Sequence, residues 1–248
     1  MNSRPKISVC IAAYQGQRYI TEQLRSILEQ LSALDEVILV DDGSTDRTHS
    51  EVCAIQDHRV TVLRNAQNEG VLRSFEKALS RSSGDIIFLS DQDDLWLPRK
   101  VERSLDAFAV DPQVTLVASD AILIDEDGNK IGDSFYAQRG KFRAGLWSNL
   151  LIGKFHGCTM AFRSSLLSSV LPFPRDTRVH HDTWIGCINA IAGGKTRYLP
   201  EPLVAYRRHS TNVTGRVPLS NYTRFMMRYK ILLGAALILG KRFQEKVF

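Results

Sequence analysis

The sequence contains no internal repeat, no low-complexity tract and no interdomain linker. A sizeable single core is therefore expected rather than an array or a disordered tail. Its C-terminal apolar run, Ile231–Leu239, is nine residues long, where a bilayer-crossing helix needs ~20. The opening stretch MNSRPKISV lacks the apolar core of a secretion signal and runs straight into a candidate strand, so a cytoplasmic catalytic part is expected. Cysteine is scarce: four residues, no two spaced as Cys-x-x-Cys. Cys10, Cys158 and Cys187 sit among apolar neighbours, which points to buried free thiols rather than disulfides or zinc. No G-x-G-x-x-G or G-x-x-x-x-G-K-[ST] occurs, so neither a dinucleotide fingerprint nor a P-loop is supported. Any phosphate must be held by side chains and metal. A net charge of +5 is modest, and no RNP-like or helix-turn-helix signature is present, which argues against a nucleic-acid partner.

What is present is a regular alternation. At 248 residues and 44% hydrophobic, the chain suits one large α/β domain with at most a small appendage. Ile7–Ala13, Glu36–Val40, Val60–Leu63 and Asp85–Leu89 read as strands, the first and last as continuous apolar runs buried on both faces. Between them, Ile20, Leu24, Ile27, Leu28 and Leu31 mark one helix, Val52 and Ile55 a second, and Leu72, Phe75 and Leu79 a third. Short β-α-β connections imply a parallel sheet with right-handed crossovers. The later half is less regular. It offers strands at Val114–Ser119, Cys158–Phe162, Arg197–Leu199 and Leu203–Tyr206, and a hairpin turning at Asp127-Gly128. Ser134–Phe142 reads as an exposed loop, Leu146–Leu151 as a short helix, and a further helix opens at His180-His181-Asp182.

Two strands end in acidic clusters at one sheet edge: Asp41-Asp42, and Asp91, Asp93 and Asp94 in the segment SDQDD. Open α/β sheets bind ligands at that edge. Carboxylates this close repel one another unless a cation lies between them, and Mg²⁺ or Mn²⁺ bridging a phosphate is the common solution. The alternative for SDQDD is an acidic surface turn. Asp182 precedes a helical stripe, where a carboxylate serves equally as helix cap or as proton acceptor for a hydroxyl. Arg207, Arg208 and His209 form either an exposed basic turn or a diphosphate- and metal-facing group.

Together ISVCIAAYQG, VDDGSTD, NEG, SDQDDLW, HHDTW and YRRHSTN, in this order over residues 6–215, resemble glycosyltransferase family 2. That resemblance implies the GT-A fold, a Rossmann-like, mostly parallel central sheet flanked by helices, here with a C-terminal helical segment. It implies transfer of a sugar from a nucleoside-diphosphate donor with inversion, and Mg²⁺ or Mn²⁺ as cofactor. Carried over by position, Ala13, Tyr14, Asp41, Asp42, Asp91, Arg207 and Arg208 would face the nucleotide. Asp91, Asp93 and His209 would hold the metal, and Asp182 would be the catalytic base. The combination SDQDDLW, HGCTMAFR, HHDTW and YRRHSTN looks most like bacterial rhamnosyltransferases of polysaccharide assembly, which implies a dTDP-L-rhamnose donor and a glycan or lipid-linked saccharide acceptor at the cell envelope. UDP-galactofuranose or a UDP-hexose is the alternative donor. Ala12-Ala13 replaces the family's usual Pro-Thr and Gln15 its usual Asn, while the Gln-x-x-Arg-Trp of processive members is missing. A sugar-nucleotide pyrophosphorylase would need a Gly-rich basic loop after Ile11, which is absent. The catalytic domain is thus placed at 1–215 and a basic amphipathic helical tail at 216–248. The tail either lies on the inner face of an anionic membrane or packs on the domain or in a homodimer.

Overall fold

Four apolar runs become the parallel heart of one sheet. With the helices between them, the elements in chain order are β1 (Ile7–Ala13), α1 (Ile20–Leu28), β2 (Glu36–Asp41), α2 (Thr48–Cys53), β3 (Val60–Arg64), α3 (Val71–Leu79) and β4 (Ile86–Asp91). The computed structural model describes residues 4–140, 142, 144–152, 155–175, 179–210, 226, 228–234 and 236. β1 pairs in parallel with β2 on one side and β4 on the other, and β3 adds beyond β2. Burial of Ile7, Val9, Cys10 and Ile11 follows from that central place, since both faces of β1 are covered. α1 turns Ile20, Leu24, Ile27 and Leu28 inward and α3 turns Leu72, Phe75 and Leu79, so the two helices seal opposite faces.

The second half extends the sheet with mixed direction: β5 (Leu95–Trp96), α4 (Lys100–Val110), β6 (Val114–Ile124), β7 (Lys130–Gly132), α5 (Phe135–Arg139), α6 (Leu146–Ile152), β8 (Met160–Arg163), α7 (Leu167–Val170), α8 (His181–Ile191) and β9 (Lys195–Arg207). The sheet order is β3-β2-β1-β4-β8-β6-β9-β5, with β7 on β6. The hairpin at Asp127-Gly128 forms as read, closed by Asp125 N–H to the Asn129 carbonyl at 2.9 Å after the amide of Asn129 returns to Asp125 Oδ1.

Two readings need correction, and one strand was not foreseen. The two strands expected around Pro200 and Pro202 are one, because the β6–β9 register jumps from Ser119↔Leu199 to Asp120↔Pro202. The prolines sit at that irregularity, where a missing amide costs no ladder bond. Ser134–Phe142 is not an exposed loop: Phe135 and Tyr136 are buried, Phe135 stacking on His156 at 4.6 Å between centroids. The short strand β5 had no local signal and exists only because β9 offers an edge to Leu95 and Trp96. Of the tail expected at 216–248, the described residues are helical and bury Ile231 against the core; the rest of that tail, including most of Leu219–Phe248, lies outside the described residues. Among the described residues no helix is long and apolar enough to cross a membrane.

Candidate functional site

Strand register assembles the site. Ala13 lies opposite Asp41, and Ala12 opposite Asp91, so the ends of β1, β2 and β4 stand side by side. Tyr14, just past β1, is 44% exposed. Its N–H donates to Gln92 Oε1 at 2.8 Å and its carbonyl accepts from Gln92 Nε2 at 3.0 Å, so the amide of SDQDD acts as a strand partner for the β1 tip. Gly16 makes this approach feasible: a Cβ there would lie 2.3 Å from Gln92 Oε1.

The two aspartates after β2 divide their work. Both oxygens of Asp42 are engaged, Oδ1 by Asn65 Nδ2 at 2.7 Å and Glu69 N–H at 2.9 Å, Oδ2 by Gly70 N–H at 2.8 Å. Asp42 therefore fastens the Asn65–Gly70 turn beyond β3. Asp41 Oδ1 accepts from Ser44 N–H at 2.9 Å, whereas its Oδ2, 3.3 Å from Arg64 Nε and 3.5 Å from His49 Nδ1, has no hydrogen-bond partner. That oxygen is buried, with the Arg64 and His49 side chains as its charged neighbours.

At the β4 tip, burial together with the charges of Asp93 and Asp182 pushes the Asp91 carboxyl up to about 7. Asp182 stands in the first turn of α8, the end of a helix that favours an anion, and its charge reaches Asp91 across the cleft. Asp93 Oδ2 lies 2.7 Å from His209 Nε2, and the imidazole rests against the Tyr19 ring at 5.2 Å. Asp93 and His209 thus meet from distant positions, and with Asp91 they offer the hard oxygens and single nitrogen that suit Mg²⁺ or Mn²⁺, but the three do not bring their ligand atoms within 4.8 Å of one another. A softer trio, Asp91, His156 and Cys158, has its ligand atoms within 4.8 Å of one another. Without a cation, burial, then Asp94 and Asp91, hold the Cys158 thiol well above its ordinary value.

Arg207 and Arg208 part company. Arg207 is buried and acts as a strut: its N–H donates to Asp94 Oδ1 at 2.9 Å, Nε to the Asp93 carbonyl at 2.8 Å, Nη1 to the Glu126 carbonyl at 3.2 Å and Nη2 to Glu22 Oε2 at 2.9 Å. It ties SDQDD to α1 and to the β6–β7 turn. Arg208 is exposed and reaches Gln138 on α5 at 3.3 Å. His180 is exposed, while His181 packs on Phe75 at 4.2 Å, with its Nε2 2.5 Å from where a Cβ on Gly157 would be.

Sequence reading passed over the support beneath the cleft. Asp94 and Lys100 are both buried. Lys100 Nζ donates to the Cys158 carbonyl at 3.0 Å and lies over the Trp96 and Phe88 rings at 5.2 and 5.9 Å. Burial lowers its pKa to about 8, against the opposing pull of Cys158 and Asp94. The Pro98-Arg99-Lys100 opening of a helix carries no local sign of this; only the apolar residues on either side of Lys100, Trp96 and Val101, hint that the position faces inward.

The sequence profile described as Glycosyl transferase family 2 matches residues 8–171, which take in the β1 tip, both acidic clusters and the Gly157 turn. An uncharacterized glycosyltransferase of Nostoc sp. is 30% identical over 218 residues, covering 84% of this chain and 66% of its own length. The Bacillus subtilis protein TuaG, assigned by its name to teichuronic acid biosynthesis, is 27% identical over 86% of this chain and 83% of its own. The chain spans about two thirds of the length of the Nostoc relative. Among solved structures, Staphylococcus aureus TarS 1-349 in complex with UDP-GlcNAc superposes with a TM-score of 0.74 over 92% of this chain and 66% of its own, at 20% identity, a likeness of fold. The architecture is the GT-A fold, and with the profile running through the strand tips that build this cleft, the chain belongs to glycosyl transferase family 2.

Proposed function

We propose that this chain is a metal-dependent, inverting glycosyltransferase that moves a sugar from a nucleoside-diphosphate donor to a glycan or lipid-linked saccharide of the cell envelope. One observation carries the reading: Asp91 and Asp93 stand at the tip of β4, where Asp91 feels the charge of Asp182 in the first turn of α8, with His209 paired to Asp93. Tyr14 and Asp41 receive the base and ribose, and Arg208 lies on the solvent side of the diphosphate. Asp91, Asp93 and His209 would hold Mg²⁺ or Mn²⁺, which supplies Lewis-acid stabilisation of charge on the departing diphosphate. Asp182 accepts the proton of the acceptor hydroxyl as that oxygen bonds to the anomeric carbon from the face opposite the diphosphate. The carbon–oxygen bond to diphosphate breaks with its electrons leaving on the phosphate oxygen, and the configuration inverts.

The donor is read as dTDP-L-rhamnose from the motif combination. A UDP-sugar is the second reading, favoured by the UDP-GlcNAc bound to the structurally similar TarS. The acceptor reading is supported by the name of TuaG, which assigns that protein to teichuronic acid biosynthesis; a site of action at the cytoplasmic face of the membrane is part of the same proposal. Calorimetric titration of dTDP and UDP, with Mn²⁺ and then with EDTA, tests the core of it. Binding should require the cation, and Asp93→Asn should lose most of the cation-dependent part. Equal affinity in chelator would remove Asp91, Asp93 and His209 from the proposed role.

A further inference from the structure

The chain's positive surplus is confined to one end. Of 32 Lys/Arg and 27 Asp/Glu, 7 and 1 fall within residues 216–248, leaving residues 1–215 with 25 and 26. The catalytic part is therefore nearly neutral and the tail strongly basic. The described part of that tail is helical and docks on α6 and α8. Arg228 Nε donates to the Leu150 carbonyl at 3.2 Å, Ile231 is buried in the same core as Leu150 and Trp184, and Gly234 lies so close to Trp184 that an added Cβ would meet the indole at 2.5 Å. With the inward side so defined, Tyr229, Leu232 and Leu233, spaced i, i+3 and i+4, face outward at 53%, 43% and 49% exposure. Trp147, one helical turn before the Leu150 carbonyl that Arg228 grips, is 68% exposed. An indole on α6 and a phenol and two leucines on the adjoining helix of the basic tail, all in water, form the side-chain set of an interfacial surface. Aromatic rings sit at headgroup level, aliphatic chains below it, and Lys/Arg meet lipid phosphates.

We propose that Trp147, Tyr229, Leu232 and Leu233 form the face on which this protein seats on an anionic membrane surface. The same core joins α6 to α8, whose first turn carries Asp182, so the face is rigidly linked to the proposed catalytic base. Its purpose rests on the lipid-linked acceptor reading above, but its test uses bare lipid and no sugar transfer.

The full chain is sedimented with vesicles of phosphatidylcholine alone and of phosphatidylcholine mixed with phosphatidylglycerol, at low and high salt. It should partition onto the anionic vesicles at low salt and at least about tenfold less onto neutral ones or at high salt, where surface charge is screened. Trp96 and Trp184 are 4% and 3% exposed, so Trp147 is the reporter among the three tryptophans. Anionic vesicles should shift its emission to shorter wavelength, and Trp147→Phe should abolish the shift. Leu232→Asp with Leu233→Asp should lose partitioning with nucleotide binding unchanged; if that pair misfolds by circular dichroism, the Trp147 emission decides alone. Absence of partitioning at low salt, or partitioning with unmoved Trp147 emission, overturns the proposal. So does a concentration-dependent dimer that ignores vesicles and dissolves in the Leu232/Leu233 variant, which would assign the face to a second copy. Vesicle binding by a chain that fails to bind any nucleotide would leave this face standing and sink the transferase reading instead.

Discussion

Among single residues, hydrogen-bond saturation differs sharply within the motifs that the family resemblance points to. Asp42 and Arg207 belong to motifs expected at the nucleotide, yet each is engaged by protein groups: Asp42 by the Asn65–Gly70 turn, Arg207 by Asp93, Asp94, Glu126 and Glu22. Asp41 keeps an oxygen without a hydrogen bond, and among the described residues Asp182 accepts from its neighbour Thr183, through Oγ1 at 3.2 Å and the adjacent amide. The base role proposed for Asp182 is tested by one substitution. Asp182→Asn keeps the shape and the helix-end hydrogen bonds while removing the basic oxygen. Turnover should fall by about 10²–10⁴-fold, the usual cost of losing a general base, with donor and Mn²⁺ affinity spared. Melting followed by circular dichroism would separate this from unfolding. Transfer at near wild-type rate would move the base elsewhere.

At the level of elements, strand tips position the site and one internal carboxylate positions its cover. Asp120, at the β6 irregularity, accepts from Tyr136 N–H at 3.2 Å and from Ser134 Oγ, and so pins α5 over the sheet. Asp120→Ala leaves those donors unpaired in a buried place, and should lower the unfolding free energy by about 1–3 kcal/mol in urea titrations. A loss within error would show that the ring contacts of Phe135 and Tyr136 hold α5 by themselves. This element also marks where sequence reading stops. β1 to β4 were legible because each is an apolar run bounded by turn residues, and their parallel order fixes which tips meet; Asp91 beside Ala12 follows from that alone. The acidic clusters were legible from their place at the strand ends; the roles proposed for them, for His209 and for Asp182 came from resemblance. What stayed hidden depends on partners far along the chain: the burial of Phe135 against His156, the pairing of Leu95 with Ala205, the passage of β9 through two prolines. No local pattern encodes a contact with a residue tens of positions away.

For the whole molecule, the recurrent problem is negative charge gathered at one sheet edge, and the fold meets it with a buried cation. Lys100 enters the core beneath SDQDD, its ammonium held by the Cys158 carbonyl and two aromatic faces and facing Asp94. Burial costs the charged amine, which is why its pKa falls from 10.5 to about 8. In the unfolded chain the amine keeps its proton to the ordinary value, so between pH 8 and 10.5 the unfolded state binds more protons than the folded one, and stability rises with pH across that window. Below pH 8 both states are charged and the burial penalty is present in full; above 10.5 both are neutral and it is gone. Lys100→Met carries no titrating group at this position and lacks the rise. The difference in unfolding free energy between wild type and Lys100→Met should therefore move in favour of the wild type as pH goes from 7.5 to 10. The change is bounded at about 3 kcal/mol from the ~1.4 kcal/mol that one pKa unit represents. Urea unfolding of both chains at a series of pH values measures it. A difference that stays flat through this range would mean that Lys100 keeps its charge throughout, compensated by Asp94 more strongly than its burial implies.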